Sequence, residues 1–277
     1  MAEETMVKQV QTAKFWRAVV GEFVATLIFV FVGILSTIFA DGKDDASFVK
    51  IALCFGLAIA TLVQCFGHIS GAHINPAVTV GFMSVKKISV LKALLFIIFQ
   101  CLGAIVGAAL VYAFIPSDLR GSLGVTGLTG VSAWQGFFIE VFITFQLVFT
   151  IFATTDDRRT DLGGSASLSI GISVLLGHLA AVRLTGSSMN PARSLGPALV
   201  MNEWADHWIY WIGPLVGGLL AALLYEFVFE PSSSVRRLKT VYIGQRRSNG
   251  NVPTEDAPPT DDEENVALQE VKEKNGK

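Results

Sequence analysis

The tripeptide Asn-Pro-Ala occurs twice, at Asn75-Pro76-Ala77 and at Asn190-Pro191-Ala192, and each copy opens an apolar run too short to cross a bilayer. Asn before Pro is a helix-start signal. The Asn side chain caps amides that lack an intrahelical partner, and Pro at the first helical position has no N–H to lose. The runs that follow, Ala77 to Met83 and Ala192 to Met201, make about 10–15 Å of helix, roughly half of a 30 Å hydrocarbon core. Each tripeptide follows a Gly-containing segment, Gly71-Ala72-His73-Ile74 or Gly186-Ser187-Ser188-Met189. Two half-helices, one in each half of the chain, predict two helix N-termini meeting in mid-membrane, and therefore a pore.

The rest of the chain supplies the membrane. Hydrophobic residues make up 52% of it and charged residues 16%, and the mean hydropathy is +0.54. A soluble domain of this length could not hide so much apolar surface. Six segments are long and apolar enough to span a bilayer: Trp16–Ala40, Val49–Gly67, Val90–Phe114, Trp134–Thr154, Ser165–Leu184 and Trp208–Phe229. The fold class expected is an all-α membrane protein with six transmembrane helices and two re-entrant half-helices.

The two halves are related. Glu22 and Glu140 each sit early in a span, 118 residues apart; the two Asn-Pro-Ala copies are 115 apart; Gly103-x-x-x-Gly107 and Gly213-x-x-x-Gly217 are 110 apart. Three spans per half is an odd number, so the second copy must run through the membrane the opposite way, giving an inverted repeat. Repeat 1 covers about residues 16–115 and repeat 2 about 133–230, together one channel domain over 16–230, preceded by a short segment 1–15. Lys and Arg gather on one side, at Lys8, Lys14, Arg17, Lys86, Lys87, Lys92, Arg158, Arg159, Arg236, Arg237 and Lys239, against Lys43, Lys50, Arg120 and Arg183 on the other. The richer side is expected to be cytoplasmic, with both termini inside. The Gly pairs read as close helix packing.

Residues 231–277 are rich in Ser, Pro, Asp, Glu and Lys and carry the acidic run Asp261-Asp262-Glu263-Glu264, so a largely disordered cytoplasmic tail is expected there. No cleavable signal peptide is read at the start, and the first long helix is expected to direct its own insertion. Cys54, Cys65 and Cys101 all lie in apolar runs, an odd set of thiols suited to packing rather than to a disulfide framework. No cofactor, no metal site and no nucleic-acid partner are expected, and the net charge of −2 by itself says nothing about partners.

The segments His68-Ile-Ser-Gly-Ala-His-Ile-Asn-Pro-Ala-Val-Thr79 and Thr185-Gly-Ser-Ser-Met-Asn-Pro-Ala-Arg193-Ser resemble the two signature loops of the aquaporin family. The similarity covers about the first 230 residues and runs closest to the animal water-selective branch, which includes the aquaporin-4-like proteins. The resemblance implies the aquaporin-like fold, passive water transport without turnover, a homotetramer with one pore per subunit, and the plasma membrane. It also implies an outer constriction made by Phe55, His178, Ser187 and Arg193. Relatives that pass glycerol carry a small residue where His178 stands and an Asp where Ser194 stands, and Tyr210-Trp211 likewise resembles the water branch. Several water-selective relatives carry a Cys where this chain has Ser187, so mercury sensitivity through this site is expected to be absent.

The residues support that picture on their own chemistry. Half-helix N-termini carry partial positive charge that repels cations. The amides of Asn75 and Asn190 can each donate to a passing water oxygen, which interrupts proton relay along a file of waters. A guanidinium in a membrane loop is costly and faces a water path, so Arg193 reads as a fixed positive barrier. Phe55 supplies an apolar wall, and His178 and Arg193 are read as hydrogen-bond donors. Glu22 and Glu140 have two readings: a proton relay, or carboxylates accepting from the amides of the unwound loops. The first would fit a coupled secondary transporter, which inverted repeats and broken helices also build. A wider pore for glycerol, urea or ammonia is the other competing function.

Overall fold

Each apolar run becomes a helix in the computed structural model, which describes residues 10–38 and 45–230. In chain order the helices are α1 (Ala13–Thr37), α2 (Asp45–Ser70), the short α3 (Pro76–Ser84), α4 (Val90–Phe114), α5 (Ala133–Thr154), α6 (Ala166–Thr185), the short α7 (Pro191–Met201) and α8 (Ile209–Leu224), the last running on as a π-helical turn over Tyr225–Phe229. No strand occurs among the described residues. The six long helices are those long and apolar enough to cross a membrane. Their bounds follow the six predicted spans, with α2 starting earlier and ending three residues later than its apolar run. The acidic tail and segment 1–9 lie outside the described residues, as do residues 39–44.

The helix starts have local causes. Thr12, Ser89, Ser132 and Ser165 cap α1, α4, α5 and α6 by accepting from an amide three residues on, and Gln135 returns the bond to Ser132 as a capping box. The outward faces are apolar, with Leu57, Leu94, Phe142, Leu176 and Leu220 exposed. A surface of that kind is stable only against lipid or another subunit.

Small residues decide which helices touch. A Cβ added at Gly103 or Gly107 of α4 would strike the carbonyls of Phe23 or Leu27 in α1, and one at Gly217 of α8 would strike the Val141 carbonyl in α5. The two Gly-x-x-x-Gly stripes therefore make equivalent crossings, one in each repeat. Helices α2 and α6 cross at Gly56 and Gly171, each facing the other's backbone carbonyl. The short helices lie across the repeats: Gly218 of α8 meets the Ala77 carbonyl of α3, and Gly196 of α7 meets the Ala104 carbonyl of α4. Each half-helix is thus held by a long helix of the other repeat.

One polar cluster ties the ends of several elements together. Arg158, between α5 and α6, bonds Asp156 through Nε at 2.7 Å and Glu226 through Nη1 at 3.0 Å, and its Nε lies 3.2 Å from Glu230. Lys87, after α3, pairs with Glu226 at 3.2 Å, and the Tyr225 hydroxyl donates to Asp156 at 2.9 Å. Burial alone would raise the Asp156 carboxyl, but its bonds from the Arg158 guanidinium and amide and from Tyr225 outweigh burial and hold it at about 2, against 3.8 unperturbed. A carboxylate depressed in this way stabilises the folded chain above about 3.8, and the contribution is lost as pH falls through about 2. The unfolding temperature in detergent is therefore expected to drop across that window, and Asp156→Asn is expected to remove part of the drop. An identical acid profile in the variant would show that the cluster does not link to folding.

Candidate functional site

The two Asn-Pro-Ala segments meet back to back. Asn75 and Asn190 are the N-caps of α3 and α7: Asn75 Oδ1 accepts from the Ala77 amide at 2.8 Å, and Asn190 Oδ1 from Ala192 at 3.0 Å and Arg193 at 3.3 Å. Pro76 and Pro191 occupy the first helical position in each, and Ala77 and Ala192 are fully buried behind them. Each Asn amide then reaches across. Asn75 Nδ2 donates to the Met189 carbonyl at 2.8 Å, and Asn190 Nδ2 to the Ile74 carbonyl at 2.9 Å. One amide proton of each Asn locks the two loops together, and the second remains for the cavity that both residues line.

The loops before them are unwound in the same pattern. Gly71 and Gly186 have φ of 97° and 77°, Ala72 and Ser187 of 47° and 49°, and Ile74 and Met189 of 57° and 54°. Left-handed backbone is costly for any residue with a Cβ, and most of all for β-branched Ile74, so something must hold it. Two buried carboxylates do. Glu22 Oε1 accepts from Ser70 Oγ at 2.6 Å and the His73 amide at 3.0 Å, and its Oε2 accepts from the Ile74 amide at 2.7 Å and Gln100 Nε2 at 2.8 Å. Glu140 Oε1 accepts from Thr185 Oγ1 at 2.6 Å and the Ser188 amide at 2.9 Å, and its Oε2 from the Met189 amide at 2.9 Å. A peptide group is planar and trans, so an N–H turned toward a carboxylate turns the preceding C=O away from it. The carbonyls of Ala72, His73, Ser187 and Ser188 therefore point away from the glutamates, as a row of acceptors on the opposite side of each loop.

A cavity of about 350 Å³ runs along these loops, from His178 at one end past both Asn side chains to Gly67 and Thr155 at the other. At about 30 Å³ per molecule it has room for about a dozen waters. Ile59, Val63, Leu147, Ile151, Ile170 and Val174 form its apolar side, which offers a passing water nothing to bond.

Phe55, His178 and Arg193 come together at the His178 end. The Phe55 and His178 rings stack with centroids 4.5 Å apart and 19° between planes, and the Arg193 guanidinium lies 4.8 Å from the Phe55 centroid. Arg193 Nη1 donates to the Gly124 carbonyl at 2.6 Å, in the segment between α4 and α5. His178 Nδ1 lies 3.0 Å from the Val174 carbonyl, and a carbonyl cannot donate, so Nδ1 carries the proton. The neutral ring then presents Nε2 as an acceptor, which corrects the expectation that His178 is a donor. His178 Nε2, Ser187 Oγ and Arg193 Nε are all buried and bond to no protein atom. The imidazole nitrogen can accept, the guanidinium Nε can donate, and the hydroxyl can do either. No hydrogen bond joins the Ser187 hydroxyl to the other three residues.

Several supporting residues escaped the sequence reading. Gln100 also donates to Thr79 Oγ1 at 3.0 Å, behind the first loop. Behind the second, Thr126 Oγ1 donates to Ser194 Oγ at 3.0 Å, Ser194 to Ser188 Oγ at 2.7 Å, and Ser188 to the Asn190 carbonyl at 3.1 Å. The repeat itself carried a signal for some of them. The 115-residue offset between the two Asn also relates Ser70 to Thr185 and Thr79 to Ser194, and the 110-residue offset relates Gln100 to Tyr210. Gly124 and Thr126 have no such signal, because the segment between the repeats has no counterpart.

Residues 9–225 match the major intrinsic protein family. Aquaporin-4 of Mus musculus is 55% identical over 240 residues, which cover 85% of this chain and 74% of the relative. Human aquaporin-1 is 49% identical over 249 residues, covering 87% of this chain and 93% of the relative. Among solved structures, the aquaglyceroporin from Plasmodium falciparum is similar with a TM-score of 0.70 and 26% identity, over 78% of this chain and 98% of that one.

Proposed function

The chain belongs to the major intrinsic protein family, and from that footing we propose that it is a water-selective membrane channel, aquaporin-4-like, carrying water passively in single file. The observation that carries this reading is the pair of polar atoms without protein partners at the Phe55–His178–Arg193 contact: one acceptor, His178 Nε2, and one donor, Arg193 Nε, beside an aromatic wall, suit a single water. The fold alone does not choose between water and glycerol, since an aquaglyceroporin shares it; the choice rests on these side chains.

In this reading Phe55, His178, Ser187 and Arg193 form the constriction, with Arg193 as the fixed positive barrier and Ser187 as a small polar wall. Asn75 and Asn190 each give their remaining amide proton to the central water, and the two half-helix N-termini repel cations there. A water holding two such donors cannot pass a proton along the file. Glu22 and Glu140 hold the loops rather than relay protons, because both oxygens of each carboxylate are engaged by buried amides and hydroxyls. The channel domain is residues 16–230. The protein acts without catalytic turnover or cofactor, as a homotetramer in the plasma membrane, with both termini and the tail 231–277 cytoplasmic.

Stopped-flow light scattering on proteoliposomes tests this reading. An impermeant osmolyte is expected to give fast shrinkage, and a glycerol gradient is expected to give no fast re-swelling. Arg193→Ala is expected to raise glycerol entry by about tenfold, equivalent to ~1.4 kcal/mol of barrier, with water flux retained. Unchanged glycerol exclusion in that variant would take Arg193 out of the constriction. Glycerol re-swelling in the wild type would establish a wider pore, and uptake driven by a pH or sodium gradient would establish a transporter.

A further inference from the structure

Behind the first loop, Gln100 Nε2 gives its two protons to Glu22 Oε2 at 2.8 Å and to Thr79 Oγ1 at 3.0 Å. The repeat offsets of 118, 110 and 115 residues carry Glu22, Gln100 and Thr79 onto Glu140, Tyr210 and Ser194. Repeat 2 does not close the same set of bonds. Among the described residues, Glu140 Oε2 accepts from the Met189 amide alone, at 2.9 Å. Ser194 Oγ accepts from Thr126 and donates to Ser188, which leaves it one free lone pair.

Tyr210 stands where Gln100 stands, and its hydroxyl is an orphan. The residue is fully buried, and its Oη has no hydrogen-bond partner among the described residues. One turn further along α8, Gly213 brings the helix so close to α5 that a Cβ there would lie 2.8 Å from Glu140 Cβ. The charges that act on the Tyr210 hydroxyl are those of Glu140, Arg193 and Asp206, and Glu140 and Tyr210 act in turn on Arg193. A hydroxyl sealed from bulk water without a partner is strongly disfavoured, and the usual resolution is a buried water held by about three polar groups. Glu140 and Arg193 already oppose each other in charge, so a neutral ligand that both donates and accepts suits the place better than an ion.

We propose that repeat 2 binds one buried water where repeat 1 places the Gln100 amide nitrogen. The water accepts from Tyr210 Oη and donates to Glu140 Oε2 and Ser194 Oγ, so its two protons do the work of the two on Gln100 Nε2. Tyr210 is then a positioning residue. Through the water it holds Glu140, and through Glu140 it holds the left-handed backbone of Ser187 and Met189. Tyr210, Glu140 and Ser194 are not among the residues that line the cavity along the loops. The site is therefore separate from the file of permeating waters, and the inference rests on the duplication and not on which solute passes.

Crystal structures of the full-length wild type and of Tyr210→Phe, at a resolution that shows ordered waters, test the site. The wild type is expected to hold a water about 2.6–3.2 Å from Tyr210 Oη, Glu140 Oε2 and Ser194 Oγ, and Tyr210→Phe is expected to lose it. A Tyr210 hydroxyl bonded directly to a protein group, no water at that place, or a water kept in the variant would each overturn the proposal. Amide hydrogen exchange in lipid nanodiscs reads the positioning role. Tyr210→Phe is expected to speed exchange at Ser188 and Met189 by about tenfold, the loss of one hydrogen bond to a charged group, and to leave His73 and Ile74 unchanged. Gln100→Leu is expected to do the reverse. Equal changes in both loops would mean a general loss of packing, and no change in either would deny Tyr210 its role; both results sink the proposal. Osmotic water flux is expected to persist in Tyr210→Phe. A wild type without flux would count against the channel reading and leave the buried water standing.

Discussion

Gly33→Ala is expected to slow water permeation by about tenfold or more while leaving the chain folded. Gly33 lies in α1, far from either Asn-Pro-Ala segment in sequence, and a Cβ there would strike Cε1 and Cζ of Phe55. Phe55 has nowhere to retreat. Its ring is stacked on His178, meets Phe29 edge-on at 5.4 Å and sits under Arg193. Overpacking of this kind costs about 1–3 kcal/mol, and ~1.4 kcal/mol added to the permeation barrier is already a tenfold slowing. Stopped-flow shrinkage of Gly33→Ala proteoliposomes gives the first reading, and Gly33→Ala with Phe55→Ala gives the second. The double variant is expected to recover water flux and to admit glycerol. Wild-type flux in the single variant would mean that the ring relaxes away from the lumen and does not set its width.

Glu140→Ala is expected to cause the largest loss of stability. It removes the acceptor for Thr185 Oγ1 and for the amides of Ser188 and Met189, all in buried surroundings. Each donor stranded in that way costs about 1–3 kcal/mol, so the second loop loses about 3–9 kcal/mol and with it the strained backbone at Ser187 and Met189. A large fall in unfolding temperature and no water flux are the expected results. The glutamine variants discriminate more finely. In Glu140→Gln the carbonyl can keep the Oε1 position, with its two donors, and only the Met189 amide is left facing an NH₂ group. In Glu22→Gln the same choice strands both the Ile74 amide and Gln100 Nε2. Glu22→Gln is therefore expected to be the more damaging of the pair. Equal effects would mean that the charge on the carboxylate matters more than the count of bonds it accepts.

Much of this was legible because the constraints are local. Asn75 and Asn190 cap their helices by their own side chains, and Pro76 and Pro191 fit the first helical position whatever surrounds them. The span lengths follow from bilayer thickness, and the Gly103/Gly107 and Gly213/Gly217 stripes advertise close crossings because no other residue allows them. The tautomer of His178 illustrates the opposite case. Only the carbonyl of Val174, one turn back on α6, decides which ring nitrogen carries the proton, and that makes Nε2 an acceptor where residue type alone suggested a donor. The cross-bonds from Asn75 to Met189 and from Asn190 to Ile74 join residues more than a hundred positions apart, and nothing in either loop by itself announces them.

Membrane class, the six spans, the two half-helices and the inverted duplication can all be read along one chain, since each depends on local composition, capping chemistry or a repeat spacing. Which groups share a space follows instead from how the helices pack. That packing put Gly33 behind Phe55, the Gly124 carbonyl on Arg193, and the Thr126 hydroxyl at the end of a chain reaching Asn190. It also left His178 Nε2, Ser187 Oγ and Arg193 Nε without protein partners. The physical reason is that a pore is made of unmet hydrogen bonds at a chosen width, and both the width and the missing partners belong to the packing of several helices rather than to any one of them.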